Sequence, residues 1–258
     1  MSTLNQSIIF EQPVNELVRV CLRVEHLLAM VQQGLRGQSM FDTRATISAL
    51  AELLSLTDRL DLRGKFTKEF IRQQANLQRF INDEHIDQTR LQDALSELTK
   101  VIQILQSHNG KFAVNLRDNE FLTSIRQHMS IAGGALSFDT PGFYYWLQSP
   151  VKERHGQIIS WLAESEDLFQ ITSFLLRLIR QSGRPVLHTA HAGYFQTSLD
   201  PQLACQLIRV AVPHTLPIYP EISVGRHGVN IRFYHPTVKE RAVIYEKDVP
   251  FRLSCCVI

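Results

Sequence analysis

The residues able to do chemistry are thinly scattered along this 258-residue chain. His188-Thr189-Ala190-His191 brings two imidazoles, the commonest metal ligands, close together. The run 186–199 around them reads as one strand, on which positions three apart point to opposite faces. The next carboxylate along the chain is Asp200. Ordinary strand histidines are therefore expected rather than a shared metal. Gly133-Gly134 could cradle a phosphate, but no dinucleotide-binding spacing follows, and a turn needing positive φ is the plainer reading. Gly64-Lys65-Phe66 lacks the hydroxyl and the earlier glycine of a P-loop, and no G-x-S-x-G elbow occurs. Cys21, Cys205, Cys255 and Cys256 contain no C-x-x-C pair, and bonded neighbours would close a strained ring. Free thiols in a reducing compartment are expected. The terminal Cys255-Cys256-Val257-Ile258 fits a loose prenylation pattern, yet nothing upstream is polybasic and Phe251, Leu253 and Ser254 continue a strand. That match reads as accidental. No catalytic residue, metal or cofactor is expected.

Cationic side chains are more informative. Arg19, Arg23 and His26 stand at i, i+4 and i+7, on one face of a helix. A solvated face is the ordinary reading. The functional one is a strip that engages carboxylates through the planar donor fork of arginine. Arg226-His227 sits in a turn between Gly225 and Gly228, a natural place for an exposed contact. Arg232 alternates with Ile231 and Phe233, so it faces away from the side they bury. Net charge is only +2, with about +3 in 183–258. This permits an acidic partner and is weaker than nucleic-acid binders usually show.

The elements that position these residues follow from periodicity. Asn15 can cap a helix carrying Leu17, Val18, Cys21, Leu22, Val24, Leu28 and Val31, closed by Gly34 and Gly37. A second helix carries Ile47 to Leu60 and stops near Gly64; a third carries Phe66 to Ile81. A fourth runs from an Asp87 cap through Leu91, Leu98, Ile102 and Leu105 to Gly110. Asp118 caps a fifth, an irregular stretch lies between Gly133 and Gly142, and helices follow over 151–163 and 166–182. Past Gly183 the texture changes: seven of the ten prolines lie there, and 186–199, 206–212, 229–235, 242–246 and 250–257 read as strands. Residues 7–11 read as a short strand ahead of Pro13.

Helices followed by strands argue an α+β fold rather than a parallel α/β sheet. The expected domains are a helical one over 13–182 and an antiparallel β domain over 183–258. Hydrophobic content of 44% with low net charge excludes disorder for most of the chain. The longest stretch free of charged residues, 185–199, is too short to span a bilayer, and residues 1–10 lack the basic and apolar regions of a signal peptide.

With these residues in place, the sequence resembles the ZapD family of bacterial cell-division proteins. The carriers are Phe10-Glu11, Pro13, Asn15-Glu16, Leu22-Arg23, Glu25, Arg72-Gln73-Gln74, Leu77-Gln78, Asp87-Gln88 and Arg90. The densest block is Ser130-Ile131, Gly133-Gly134, Ser137-Phe138-Asp139, Pro141 and Trp146-Leu147. Then come 178–182, Tyr219-Pro220, Ile222-Ser223 and Ile231-Arg232-Phe233. Their common order spans about 230 residues, and the paired C-terminal cysteines also look like some relatives. The resemblance implies a helical domain and a curved antiparallel β domain that takes the strand 7–12. It also implies a cytoplasmic homodimer at the mid-cell division ring. Such proteins are non-enzymatic. They grip the C-terminal tail peptide of FtsZ and cross-link and bundle its filaments, with no nucleic acid and no membrane insertion. Carried over by residue, Arg23 matches a family arginine associated with the tail pocket, and Arg117, Arg226 and Arg232 match basic positions. Tyr144 stands where a relative has histidine and Glu120 where one has arginine. Two other classes stay open: an enzyme acting through Gly133-Gly134 and Ser137, which needs a base beside Ser137, and a nucleic-acid-binding module, which needs a continuous basic groove with exposed aromatics.

Overall fold

Apolar residues recur at helical spacing as far as Ser182 and at alternate positions beyond it, and the backbone follows that change of period. The structure, a computed structural model, describes residues 7–58, 61–83, 85–107, 112–200, 204–225, 228–237 and 242–257. Strand β1 (Ser7–Pro13) leads into α1 (Glu16–Gly34), α2 (Met40–Asp58), α3 (Leu62–Gln78), α4 (Gln88–Ser107) and α5 (Val114–Arg117). Next come α6 (Glu120–Met129), α7 (Pro141–Leu147), α8 (Val151–Ala163) and α9 (Glu166–Ser182). The strands β2 (Val186–Ala190), β3 (Tyr194–Ser198), β4 (Cys205–Pro213), β5 (Tyr219–Gly225), β6 (Gly228–His235), β7 (Val243–Ile244) and β8 (Val249–Val257) complete the order. The fold is α+β, and β1 joins a sheet made otherwise of C-terminal strands. The chain divides into two compact units, Met1–Arg19 with Leu175–Ile258, and Val20–Phe174.

Side-chain acceptors start the helices, each satisfying a backbone N–H that has no partner inside the helix. Asn15 Oδ1 accepts from Val18 N at 2.9 Å, and Asp61 Oδ1 from Gly64 N at 3.1 Å. At α2, Ser39 Oγ accepts from Asp42 N and Asp42 Oδ2 accepts from Ser39 N, both at 3.0 Å, a reciprocal box. Two expectations are corrected here. Gly64 lies in the first turn of α3 instead of ending α2. Asn119, not Asp118, caps α6, its Oδ1 accepting from Leu122 N at 3.1 Å. The stretch before Pro141 is irregular as expected, and Pro141 then opens α7, a helix the spacing does not predict, with its preset φ.

Within the unit 20–174, Phe66 stacks on Phe70 with centroids 6.1 Å apart and meets Phe112 edge-on at 6.2 Å. Phe70 lies 5.7 Å from Phe174. Burial of each such ring contributes about 1.5–3 kcal/mol. Gln73, at 0% exposure, donates from its amide nitrogen to Glu69 Oε1 at 2.6 Å.

The other unit holds two antiparallel sheets, ordered β1-β4-β8-β2 and β3-β6-β5, with β7 beside β6. Alternate residues Ile208, Val210 and Val212 of β4, Val229, Ile231 and Phe233 of β6, and Val249, Phe251 and Leu253 of β8 share one buried cluster. The single strand expected over 186–199 is in fact two. Ala192 and Gly193, at φ 47° and 71°, make a two-residue hairpin turn. A Cβ on Gly193 would meet the Tyr245 carbonyl oxygen at 2.0 Å, so only glycine fits. Strand β5 went unread because Pro220 interrupts its pattern; at the edge of a sheet a missing N–H is tolerated. Glu11 of β1 accepts from Arg180 Nε at 2.9 Å, Arg180 Nη2 at 2.7 Å and Arg209 Nε at 2.9 Å, tying the end of α9 to β1 and β4.

Candidate functional site

Helix α1 sorts its side chains by the 3.6-residue period. Val18, Cys21, Val24, Leu27 and Val31 are buried, while Arg23, His26 and Met30 are exposed. Arg19 shares their face but is engaged with Glu16, Nη1 to Oε2 2.6 Å. Arg23 and His26 have no side-chain partner among the described residues. A free guanidinium and an imidazole one turn apart, both in water, are suited to an acidic ligand.

The remaining candidates occupy different surroundings. Arg117 is 12% exposed, its Nε 3.0 Å from Asp58 Oδ1 and its Nη2 donating to the Thr57 carbonyl at 3.2 Å. Arg126 pairs with the same carboxylate. Arg117 thus holds α5 to the end of α2. Tyr144 is exposed on α7. Arg232 is exposed on β6, across from Tyr194 and Glu221, with its guanidinium 6.0 Å over the Tyr194 ring. Arg226 and His227 lie outside the described residues. No hydrogen bond, ion pair or ring contact joins Arg23 or His26 to Arg117 or Tyr144 among the described residues.

The block 130–146 shows what sequence reading did not supply. Arg44 of α2 donates to the carbonyls of Ala135 at 2.7 Å and Gly134 at 2.5 Å, pinning a turn in which Gly133 has φ 69° and Ala135 φ 58°. A Cβ on Gly134 would meet the His128 carbonyl oxygen at 2.0 Å. The glycine pair therefore serves a tight turn. Below it, Phe121, Phe143, Trp146 and Trp161 interlock with centroids 5.7–6.3 Å apart. Phe41 and Ile131, 73 and 58% exposed, line a shallow pocket with Gly133 and Gly134, and Phe138 and Tyr145 are each 79% exposed. The aromatic run Phe143-Tyr144-Tyr145-Trp146 is the sequence signal of the ring cluster. Ser137 is exposed and makes no hydrogen bond among the described residues.

His188 and His191 also separate. The His188 ring lies 4.9 Å from Phe195 in β3, while His191, in the hairpin turn, has Nδ1 3.2 Å from Asp248 Oδ2. Hydrogen bonds from Ala192 N and His191 hold the Asp248 carboxyl below its usual range. No group of three or more His, Cys, Asp or Glu side chains able to hold a metal occurs among the described residues.

A family model described as "ZapD: Cell division protein" matches residues 22–232. The chain belongs to the ZapD family. It is 34% identical over 255 residues to "Cell division protein ZapD" of Methylococcus capsulatus, covering 99% of this chain and 100% of the relative. It is 34% identical over 254 residues to the protein of that name from Coxiella burnetii, at 98% of each chain, and 32% identical over 249 residues to that from Azoarcus sp., at 96% and 99%. Membership in this family places the chain in cell division. Many residues that carry the ZapD resemblance prove to hold structure: Glu11 with Arg180, Arg72 and Gln73 on Glu69, and Asp139, whose Oδ2 accepts from Leu136 N at 3.1 Å. Arg23, by contrast, is exposed and has no side-chain partner among the described residues. No helix among the described residues is long and apolar enough to cross a membrane.

Proposed function

We propose that this chain is a non-enzymatic homodimer that binds the C-terminal tail of FtsZ and cross-links its filaments at the division ring in the cytoplasm. The observation that carries this reading is Arg23, exposed on α1 beside His26 and without a side-chain partner among the described residues, in a chain of the ZapD family. An arginine that supports no part of its own fold is available to a carboxylate from outside. Arg19, one turn earlier, extends the strip, and Arg232, Tyr144, Arg226 and His227 are further candidates for contact. Arg117 acts by holding α5 and Asp58 in place.

The physics of the role is avidity. A two-fold dimer presents the same site twice, so tails from separate filaments can be held together. Weak sites suffice, because a filament offers many tails at high effective concentration. Contacts made by exposed charges weaken as salt screens them. The test is co-sedimentation with FtsZ filaments, with and without the C-terminal tail. Pelleting and bundling with the full protein and neither with the tail-less one is expected; equal pelleting with both would refute tail binding. A monomeric mass at micromolar concentration in sedimentation equilibrium would remove the bridging mechanism.

A further inference from the structure

The two adjacent cysteines of β8 separate, as alternation on a strand requires. Cys256 is buried, whereas Cys255 is half-buried beside the core between the sheets. On β4 the register shifts between Cys205 and Leu207, which sets Cys205 opposite Val257 and on the same face as Cys255. The Cys205 thiol donates to the Leu207 carbonyl oxygen, 3.8 Å away, and stands beside the Cys255 sulfur. Cys255 also forms part of the wall of a pocket of about 390 Å³, together with Arg184, His188, Thr197 and Ser198. A thiol with a second thiol on one side and an open, cation-bearing pocket on the other is more than a packing residue.

We propose that Cys255 is a thiol–disulfide exchange site that accepts small anionic disulfides in this pocket. The Cys255 thiolate attacks one sulfur of the disulfide. A new S–S bond forms as the old one breaks, and the departing thiolate leaves with the electron pair and takes a proton from water. Cys255 is oxidised and half of the reagent is reduced, so no other oxidant is needed. The hydrogen bond from Cys205 draws the Cys255 thiol down to about 7, and Cys205 correspondingly stays protonated. The other ionisable groups facing Cys255 are Arg184 and His188 across the pocket. Burial pushes the Cys21 thiol far up and the Cys256 thiol to about 11, which confines exchange to one of the four cysteines. Cys205 is the diagonal neighbour of Cys255 in the ladder. Such Cα atoms stand about 7–8 Å apart, beyond the roughly 4.4–6.8 Å of a disulfide, so the mixed disulfide is the end product.

The test incubates the reduced full chain with oxidised glutathione from pH 6 to pH 9, quenches with acid and maps adducts by peptide mass spectrometry. The adduct is expected on Cys255 well before Cys21 or Cys256, with a half-maximal rate near pH 7. Cys205→Ala leaves only the burial that raises the thiol and should move that midpoint to roughly 8.5, the ordinary cysteine value, or above, while Cys205→Ser, which keeps a donor, should hold it low. Arg184→Ala should slow exchange with oxidised glutathione and leave exchange with neutral hydroxyethyl disulfide unchanged. Absence of a native-state adduct, equal labelling of all four cysteines, an unmoved midpoint in a folded Cys205→Ala protein, or an internal Cys205–Cys255 bridge as product would each overturn the proposal.

Discussion

Reversing one exposed and one engaged arginine separates binding from folding. Arg23 is in water and touches no partner among the described residues, so Arg23→Glu removes no internal interaction. The introduced carboxylate stands four residues after Arg19 and three before His26, a spacing worth at most about 0.5 kcal/mol on a helix surface. For a chain of this size that is a shift of about 1–2 °C in Tm. A charge-assisted hydrogen bond to a tail carboxylate is worth about 1.5–3 kcal/mol, so tail-peptide affinity should fall about 10- to 140-fold. Bundling needs both sites of a dimer and should fall more steeply than single-tail affinity. Arg117→Glu behaves differently. It sets a second carboxylate against Asp58 in a pair whose side chains are only 12% and 32% exposed. Breaking such a pair costs about 3 kcal/mol once its partial exposure is allowed for, or roughly 6–12 °C in Tm. The assay is thermal melting alongside tail-peptide titration at two salt concentrations. Unchanged peptide affinity in Arg23→Glu refutes the assignment, and a collapsed Tm in that variant shows that Arg23 supports the fold instead.

Three further outcomes follow from the geometry. Glu11→Gln removes the carboxylate that the Arg180 and Arg209 guanidiniums share, at side-chain exposures of 27% and 25%, and should cost about 2–3 kcal/mol in denaturant unfolding. A double-mutant cycle with Arg180→Gln should return a coupling above about 1 kcal/mol, and simple additivity would contradict the triad. Hydrogen bonds from the Ser39 hydroxyl and backbone hold the Asp42 carboxyl below its ordinary 3.8, so the α2 cap contributes fully above that pH and fades as pH falls through the lower native value. A carboxyl-carbon NMR titration should place the Asp42 midpoint under 3.8 and Ser39→Ala should raise it; a native midpoint at or above 3.8 would refute the box. Cys255→Ser with Cys256→Ser should fold and still bundle filaments, since the two thiols point to opposite faces and neither lies on α1; loss of bundling with an unchanged melting curve would overturn this.

How much was legible depended on the length of each pattern. Helices α1 and α4 carry four or more apolar turns and a side-chain cap, so they could be read almost to the residue. Helix α7 has seven residues, fewer than periodicity needs, and its one signal was Pro141. The strand pair β2 and β3 looked continuous because a tight turn adds only His191-Ala192-Gly193 to a run of strand-forming residues, and Pro220 concealed β5 for the opposite reason. In the candidate site, Arg23 and His26 could be placed on one face because helix geometry is local. Arg117 could not be judged, since its partner Asp58 is 59 positions earlier in the chain.

The chain by itself determined the order of helices then strands, a short strand over residues 7–11, the cationic face of α1 and the absence of any motif with catalytic spacing. These depend on periods of two and 3.6 residues and on contacts within a few positions, which composition and spacing encode directly. Only the tertiary structure decided the rest. It turned Arg117 inward on Asp58 and left Arg23 in water, joined Glu11 to Arg180 and Arg209, spent Gly133-Gly134 on a turn held by Arg44, and set Cys205 against Cys255. Each of these pairs residues tens to hundreds of positions apart. Burial and partnership at such separations are properties of the packed whole, because one arginine is chemically identical to another until a carboxylate from elsewhere in the chain arrives beside it.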